Sequence, residues 1–260
     1  MKKILTSLLL TAALAVSMFA VTAQAAEGGK AYGKVPATDT KITVDGKKDA
    51  IYDKGLKVSV NVTTDSCPGT AEAYLLWNGK DTFYIYAPVK DASVQKTPDA
   101  AKPWVSDSLE VFFDYSNKVA RTRDQYRVEF SGDGTYYDTK TYANADAKKF
   151  GFENWAVSTI DGGYALEFEI KAYKEAISAG MNIGFHAQLN DLQADATTRK
   201  LAHSDACGNE PKKFGYITLS GDKVAIEAPK ASAATADPAI LAVLSLAAAS
   251  GAAFISKKRK

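Results

Sequence analysis

The chain has 260 residues, 46% of them hydrophobic and 24% charged, enough to bury one sizeable core and too apolar for a disordered polymer. Its 32 basic and 30 acidic residues give +2, but Lys2, Lys3, Lys257, Lys258, Arg259 and Lys260 sit at the ends; without those six the body stands at −4 and offers no broad footprint for nucleic acid. Two Cys and two His exclude a Cys-rich zinc module and a disulfide-dense scaffold.

Lys2-Lys3, the apolar run Ile4 to Phe19 and the small-x-small site Ala23-Gln24-Ala25 predict a secretory signal peptide over residues 1–25. The body, residues 35–222, reads as many short strands. Ala71–Trp77 and Thr82–Val89 flank Asn78-Gly-Lys-Asp81, a hairpin signal. Ser108–Asp114, Gln125–Phe130, Thr135–Tyr137, Ala156–Thr159, Tyr164–Ile170, Asn182–Asn190 and Phe214–Leu219 follow, separated by Gly, Asp and Asn turns. Only Ala172–Ala179 reads as a helix. The prediction is an all-β protein, an antiparallel β-sandwich with one short helix and no internal repeat. Residues 223–238 are Ala/Pro/Lys-rich and predict a linker. Residues 239–256 are apolar with no polar face and predict a short transmembrane anchor, with the basic tail 257–260 on the cytoplasmic side. This arrangement resembles the cell-wall sorting signals of Gram-positive bacteria. However, Ser232–Pro238 lacks a Leu-Pro-x-Thr-Gly motif, so a plain membrane anchor is the expectation and covalent wall attachment is not.

Alternation along the strands sorts their side chains. Leu109, Val111 and Phe113 leave Glu110, Phe112 and Asp114 on the other face. Tyr126, Val128 and Phe130 leave Arg127 and Glu129. Ile183, Phe185, Ala187 and Leu189 leave His186, Gln188 and Asn190. A solvated outer face, which every sandwich has, would give the same pattern. The side-chain types argue for a site, because planar bidentate groups can hold two vicinal hydroxyls at once. Trp104, in a polar loop before a strand, would add the apolar platform that a sugar ring needs. Trp77 and Trp155 lie in or beside strands and are read as core or turn residues.

Val89-Lys-Asp91 followed by Pro103-Trp-Val-Ser-Asp-Ser-Leu-Glu-Val-Phe-Phe-Asp114 resembles carbohydrate-binding module family 9. The resemblance continues through Ile42–Gly46, Asp124–Arg127, Gly162–Glu167, Ile183–Asp191 and Lys213–Gly215. It implies a β-sandwich of the broader DOMON-like type that holds sugars, often the reducing ends of glucan or xylan chains, between two Trp rings and a set of polar side chains. By position Trp104 matches the first Trp, Glu110 and Arg127 the Glu and Arg, and Gln188 the Gln. The second Trp has no counterpart in His203–Lys212; Asn209 matches the polar Asn of that loop, and His203 is a candidate substitute platform. The resemblance also implies structural calcium, with no ligands assigned.

Cys67 and Cys207 lie in loop-like segments of an exported chain and are read as a disulfide pinning that loop, with a free pair as the alternative. No hydrolase, phosphate-loop or zinc-protease motif is present, so no enzyme activity is expected. The expected function is a non-catalytic, extracellular, cell-surface-anchored module of a Gram-positive-like bacterium. It would bind glucan- or xylan-type polysaccharide or oligosaccharide and reach the membrane through its anchor. The alternatives are a haem-binding domain using His186 and His203, and an adhesion or structural module without a small ligand.

Overall fold

The computed structural model describes residues 29–226 apart from 64, 100, 116–123, 139–142, 146–150, 174 and 207–212. The segments read as signal peptide, anchor and basic tail, most of the linker, Cys207 and Asn209 lie outside the described residues. The chain divides into two compact units after Ala225, and of the second only Ile226 is described. Among the described residues no helix is long and apolar enough to cross a membrane.

Thirteen strands form among the described residues: β1 (Ala31–Thr38), β2 (Leu56–Val60), β3 (Thr70–Trp77), β4 (Thr82–Lys90), β5 (Ser108–Asp114), β6 (Asp124–Glu129), β7 (Gly134–Asp138), β8 (Ala143–Ala145), β9 (Phe152–Ile160), β10 (Gly163–Lys171), β11 (Asn182–Leu192), β12 (Arg199–His203) and β13 (Gly215–Val224). They hydrogen-bond in the order β8-β7-β6-β5-β11-β13-β1-β3-β4-β10-β9, with β12 added to β11 and β2 to β3. Phe83 on β4 and Phe113 on β5 are far apart along this path, yet their rings lie 4.9 Å from each other. Tyr126 on β6 and Phe152 on β9 meet at 5.4 Å. The path therefore folds back on itself into a sandwich, with these rings in its filling. Each fully buried aromatic or aliphatic side chain there contributes about 1.5–3 kcal/mol.

Two expectations are corrected. The strands are not all antiparallel: β1 runs parallel to both β13 and β3 and joins the two layers. A parallel neighbour needs a long crossover, and residues 39–69, with a 3-10 turn at Ala50–Lys54 and strand β2, supply one between β1 and β3. The helix predicted over Ala172–Ala179 does not form among its described residues. Instead Ala172 N–H donates to Asp81 O at 2.7 Å, and Ile177 is buried in the core. Eight residues are too few for a helix to persist without an apolar stripe to dock, and here the core takes the segment as an irregular crossover. The hairpin signal holds: the Asn78 side-chain oxygen accepts from the N–H groups of Lys80, Asp81 and Thr82 at 2.9–3.0 Å.

The Ile42–Gly46 and Gly162–Glu167 motifs turn out to be one structural device. Glu167, buried on the outer face of β10, accepts from the backbone N–H of Asp45 and Gly46 at 2.9 and 3.0 Å and from Tyr52 Oη at 2.8 Å. Gly46 has φ +79, and a Cβ there would come 2.8 Å from the Val157 carbonyl carbon. The carboxylate thus pins the N-terminal segment over this sheet.

Candidate functional site

The opposite layer holds the polar face inferred from alternation, and it is not solvated. All seven residues of β5 are buried, and ten of the eleven in β11, from Ile183 to Leu192. One face of these strands packs in the core. The other lines up Thr135 (β7), Arg127 (β6), Glu110 (β5), Gln188 (β11) and His203 (β12), each directly opposite the next in the ladder. Glu129, Ser108 and Asn190 form the neighbouring row, and Gln125, Phe112 and His186 the row on the other side. Three strands contributing alternate residues in matched register therefore put the sequence-predicted groups side by side.

Glu110 is 3% exposed. Its Oε2 accepts from Gln125 Nε2 at 2.9 Å and from Gln188 Nε2 at 3.3 Å, and its Oε1 faces Arg127 Nη1 at 3.6 Å. Arg127 is fully buried and also faces Glu129 through Nη2 at 3.5 Å. One guanidinium thus lies between two carboxylates, and burial pushes the Glu129 carboxyl above its usual range. Gln188 Nε2 also donates to Asn190 Oδ1 at 3.0 Å, while Gln188 Oε1 is buried without a protein hydrogen-bond partner. Asn190 Nδ2 donates to Ser108 Oγ at 3.0 Å.

Trp104 lies in the 3-10 turn Pro103–Val105 and, at 39%, is exposed, unlike Trp77 in the core. Arg199 Nη1 donates to Trp104 O at 3.2 Å and to Asn190 Oδ1 at 3.3 Å, which ties the indole's turn to the rim of the row. Glu110, Arg127 and Gln188 are consecutive in one row, and the backbone of Trp104 is tied through Arg199 to Asn190 in the row beside it. His203 lies at the end of that row but is 7% exposed and stacked on His186 at 5.3 Å, so it offers little open ring face as a platform. Asn209 lies outside the described residues. Arg199, Ser108, Gln125 and Thr135 were not singled out from the sequence. Gln125 and Ser108 follow from the same alternation, whereas Arg199 sits on β12, a short polar strand with no sequence signal.

Both ring nitrogens of His186 face protein groups: Nε2 faces His203 Nδ1 at 3.2 Å, and Nδ1 faces Ser204 Oγ at 3.2 Å and Asp205 at 3.3 Å. Burial and the neighbouring imidazole push the His203 pKa down. An axial haem ligand needs a free ring nitrogen, and His186 has none to give.

A second cluster lies where β4, β5 and β11 end. Asp91, Asp107 and Asp191 are all buried, with carboxylate oxygens within 4.8 Å of one another. Asp107 accepts from the backbone of Gln95 and Leu192, and Asp191 from Gly69 N–H at 2.7 Å and Gln193 Nε2 at 2.6 Å. Burial, with help from the other two carboxylates, pushes the Asp107 carboxyl up to about 7. Asp91 Oδ2 and the Tyr164 hydroxyl are buried without a hydrogen-bond partner. An all-oxygen, acidic donor set of this kind fits a hard divalent cation. Cys67 borders this cluster as a free thiol 3.3 Å from Asp191 Oδ2, and burial pushes its pKa up to about 12; its expected partner Cys207 is outside the described residues.

Residues 44–222 match the family model described as "Carbohydrate family 9 binding domain-like". Over 187 residues the chain is 30% identical to endo-1,4-beta-xylanase A of Thermotoga neapolitana and 30% identical to endo-1,4-beta-xylanase C of Paenibacillus barcinonensis. Each match covers 68% of this chain but only 17% and 16% of the respective xylanases. Among solved structures, a carbohydrate binding module family 9 from Caldicellulosiruptor kristjanssonii, in complex with cellotriose, superposes with a TM-score of 0.60 at 22% identity. The glucose complex of that module gives 0.60 at 21%, and both cover 75% of this chain and all of the module. By sequence match over most of its length and by shared fold, the chain belongs to the carbohydrate family 9 binding domain-like family.

Proposed function

We propose that this chain is a non-catalytic module that holds glucan- or xylan-type oligosaccharides or polysaccharides on the row Arg127–Glu110–Gln188 beneath Trp104. The observation that carries the reading is a buried row of guanidinium, carboxylate and amide groups, one of them an orphaned acceptor, with an exposed Trp104 on a turn that Arg199 ties to Asn190 beside the row. Burying Gln188 Oε1 unpaired costs about 1–3 kcal/mol, and a ligand hydroxyl placed there offsets that cost. Vicinal hydroxyls can bridge neighbouring planar groups, and the apolar face of the ring covers the indole. The relatives support the ligand class: the superposing module is described in complex with cellotriose and with glucose, and the sequence relatives are xylanases. A glycan array with reduced and unreduced oligosaccharides tests it. Retention of gluco- or xylo-oligosaccharides that is lost in Trp104→Ala supports the proposal; no retention of any glycan refutes it.

The proposal extends to a structural cation held by Asp91, Asp107 and Asp191 with Tyr164 beside them. A cation would brace the loop that carries Trp104 against β11. It also extends to location: export through the 1–25 segment and tethering through 239–256 would hold the module, and its glycan, at the outer surface of the cell.

A further inference from the structure

The polar row does not end at Arg127. Beyond it lies a cleft of about 640 Å³, walled on one side by Lys96 to Pro98, Pro103 and Ser106 and on the other by the β6–β7 turn and Trp155, a size typical of small-molecule sites. Glu129 and Thr135 line it, and Thr135 is the residue directly opposite Arg127 in the ladder. The walls are fixed. Trp155 Nε1 donates to Gly132 O at 3.0 Å, and Gly134 lies so close under the indole that a Cβ there would come 2.2 Å from Cε2. Lys96 Nζ and Asp133 Oδ2 pair at 3.0 Å between the two walls, each side chain more than half exposed.

Two buried polar atoms of the row lack a protein partner: Gln188 Oε1 near one end and Thr135 Oγ1 at the other. The strands between them are β5 and β6, so three strand spacings separate the two, roughly 14 Å. That is longer than one pyranose ring. From this geometry we infer that the cleft is a second subsite, in which Thr135 and Glu129 hold the hydroxyls of a further ring of a glycan whose first ring sits at Trp104. The inference rests on the carbohydrate reading above and adds that the ligand is an oligomer running across the strands. The lining is mixed in character, with Pro103 and Trp155 against Glu129, Thr135 and Lys96, and so suits the apolar and hydroxylated sides of a sugar.

The test is calorimetric titration of the full chain with glucose and with cellotriose, for the parent, Thr135→Val and Trp104→Ala. Valine keeps the shape of threonine and removes a hydroxyl that has no protein partner, so the variant folds. The expected result is that the parent prefers cellotriose, that Thr135→Val loses about five- to tenfold for cellotriose and less than about twofold for glucose, and that Trp104→Ala loses both. Equal affinity of the parent for the two sugars, or a Thr135→Val loss that is absent or the same for both, overturns the second subsite and leaves the carbohydrate reading standing. A parent that binds neither of these sugars, nor xylose and xylotriose titrated in the same way, overturns both.

Discussion

Replacing Arg127 with alanine removes a guanidinium that lies between two buried carboxylates. Arg127, Glu110 and Glu129 are 0%, 3% and 2% exposed, with charge separations of 3.6 and 3.5 Å. Forming such a pair contributes little net stability, because desolvation opposes the attraction, but breaking it leaves buried charge uncompensated at a cost of about 3–5 kcal/mol. That is a large part of the roughly 5–15 kcal/mol that holds a domain together. At about 2–4 °C per kcal/mol for this size, Tm should fall by roughly 6–20 °C at pH 8. The loss has a pH signature. Glu129 already titrates above its unfolded value because of burial. A carboxyl with a raised folded pKa favours the fold below the unfolded pKa, and this contribution is lost as pH rises through the folded pKa. Without Arg127 the rise is larger, so the gap between parent and variant should narrow as pH falls from 8 to 5. Denaturant melts at both pH values measure it. A loss under about 1 kcal/mol, or one equal at both pH values, would refute the reasoning. Glycan-binding loss in this variant is therefore interpretable only at a temperature where it remains folded.

Trp104→Ala should behave in the opposite way: its exposed side chain leaves stability within about 0.5 kcal/mol, while glycan retention falls more than tenfold, a split visible by pairing a melt with a binding isotherm. If the aspartate cluster holds calcium, adding it at about one hundred times its Kd should stabilise the fold by about 2.7 kcal/mol, or roughly 5–10 °C; chelator should reverse the shift and Asp91→Asn should abolish it. His203 is held neutral, its folded pKa pushed below the unfolded value by burial, with His186, Asp205 and Asp65 around it. A depressed folded pKa means stability present above about 6.5 and lost as pH falls through the folded value. The stability advantage of the parent over His203→Gln should therefore shrink between pH 7.5 and 5.5, and an advantage that grows over that range would contradict this.

Local signals in the sequence were enough for the nine strands with clear alternation, the Asn78 turn and the sorting of Glu110, Arg127 and Gln188 onto one face, because period-two patterning and turn chemistry are properties of neighbouring residues. β1 escaped notice because Gly33 and Pro36 interrupt its pattern. β12 escaped because its five residues, Arg-Lys-Leu-Ala-His, carry no alternation of their own and are ordered by pairing with β11. Only the fold could decide whether the polar face was wet or buried, since burial depends on what lies over a strand and not on the strand itself. The same holds for the cluster of Asp91, Asp107 and Asp191, up to a hundred residues apart in sequence, and for the cleft at Thr135. Each is made where distant segments meet, and no window of local sequence contains that information.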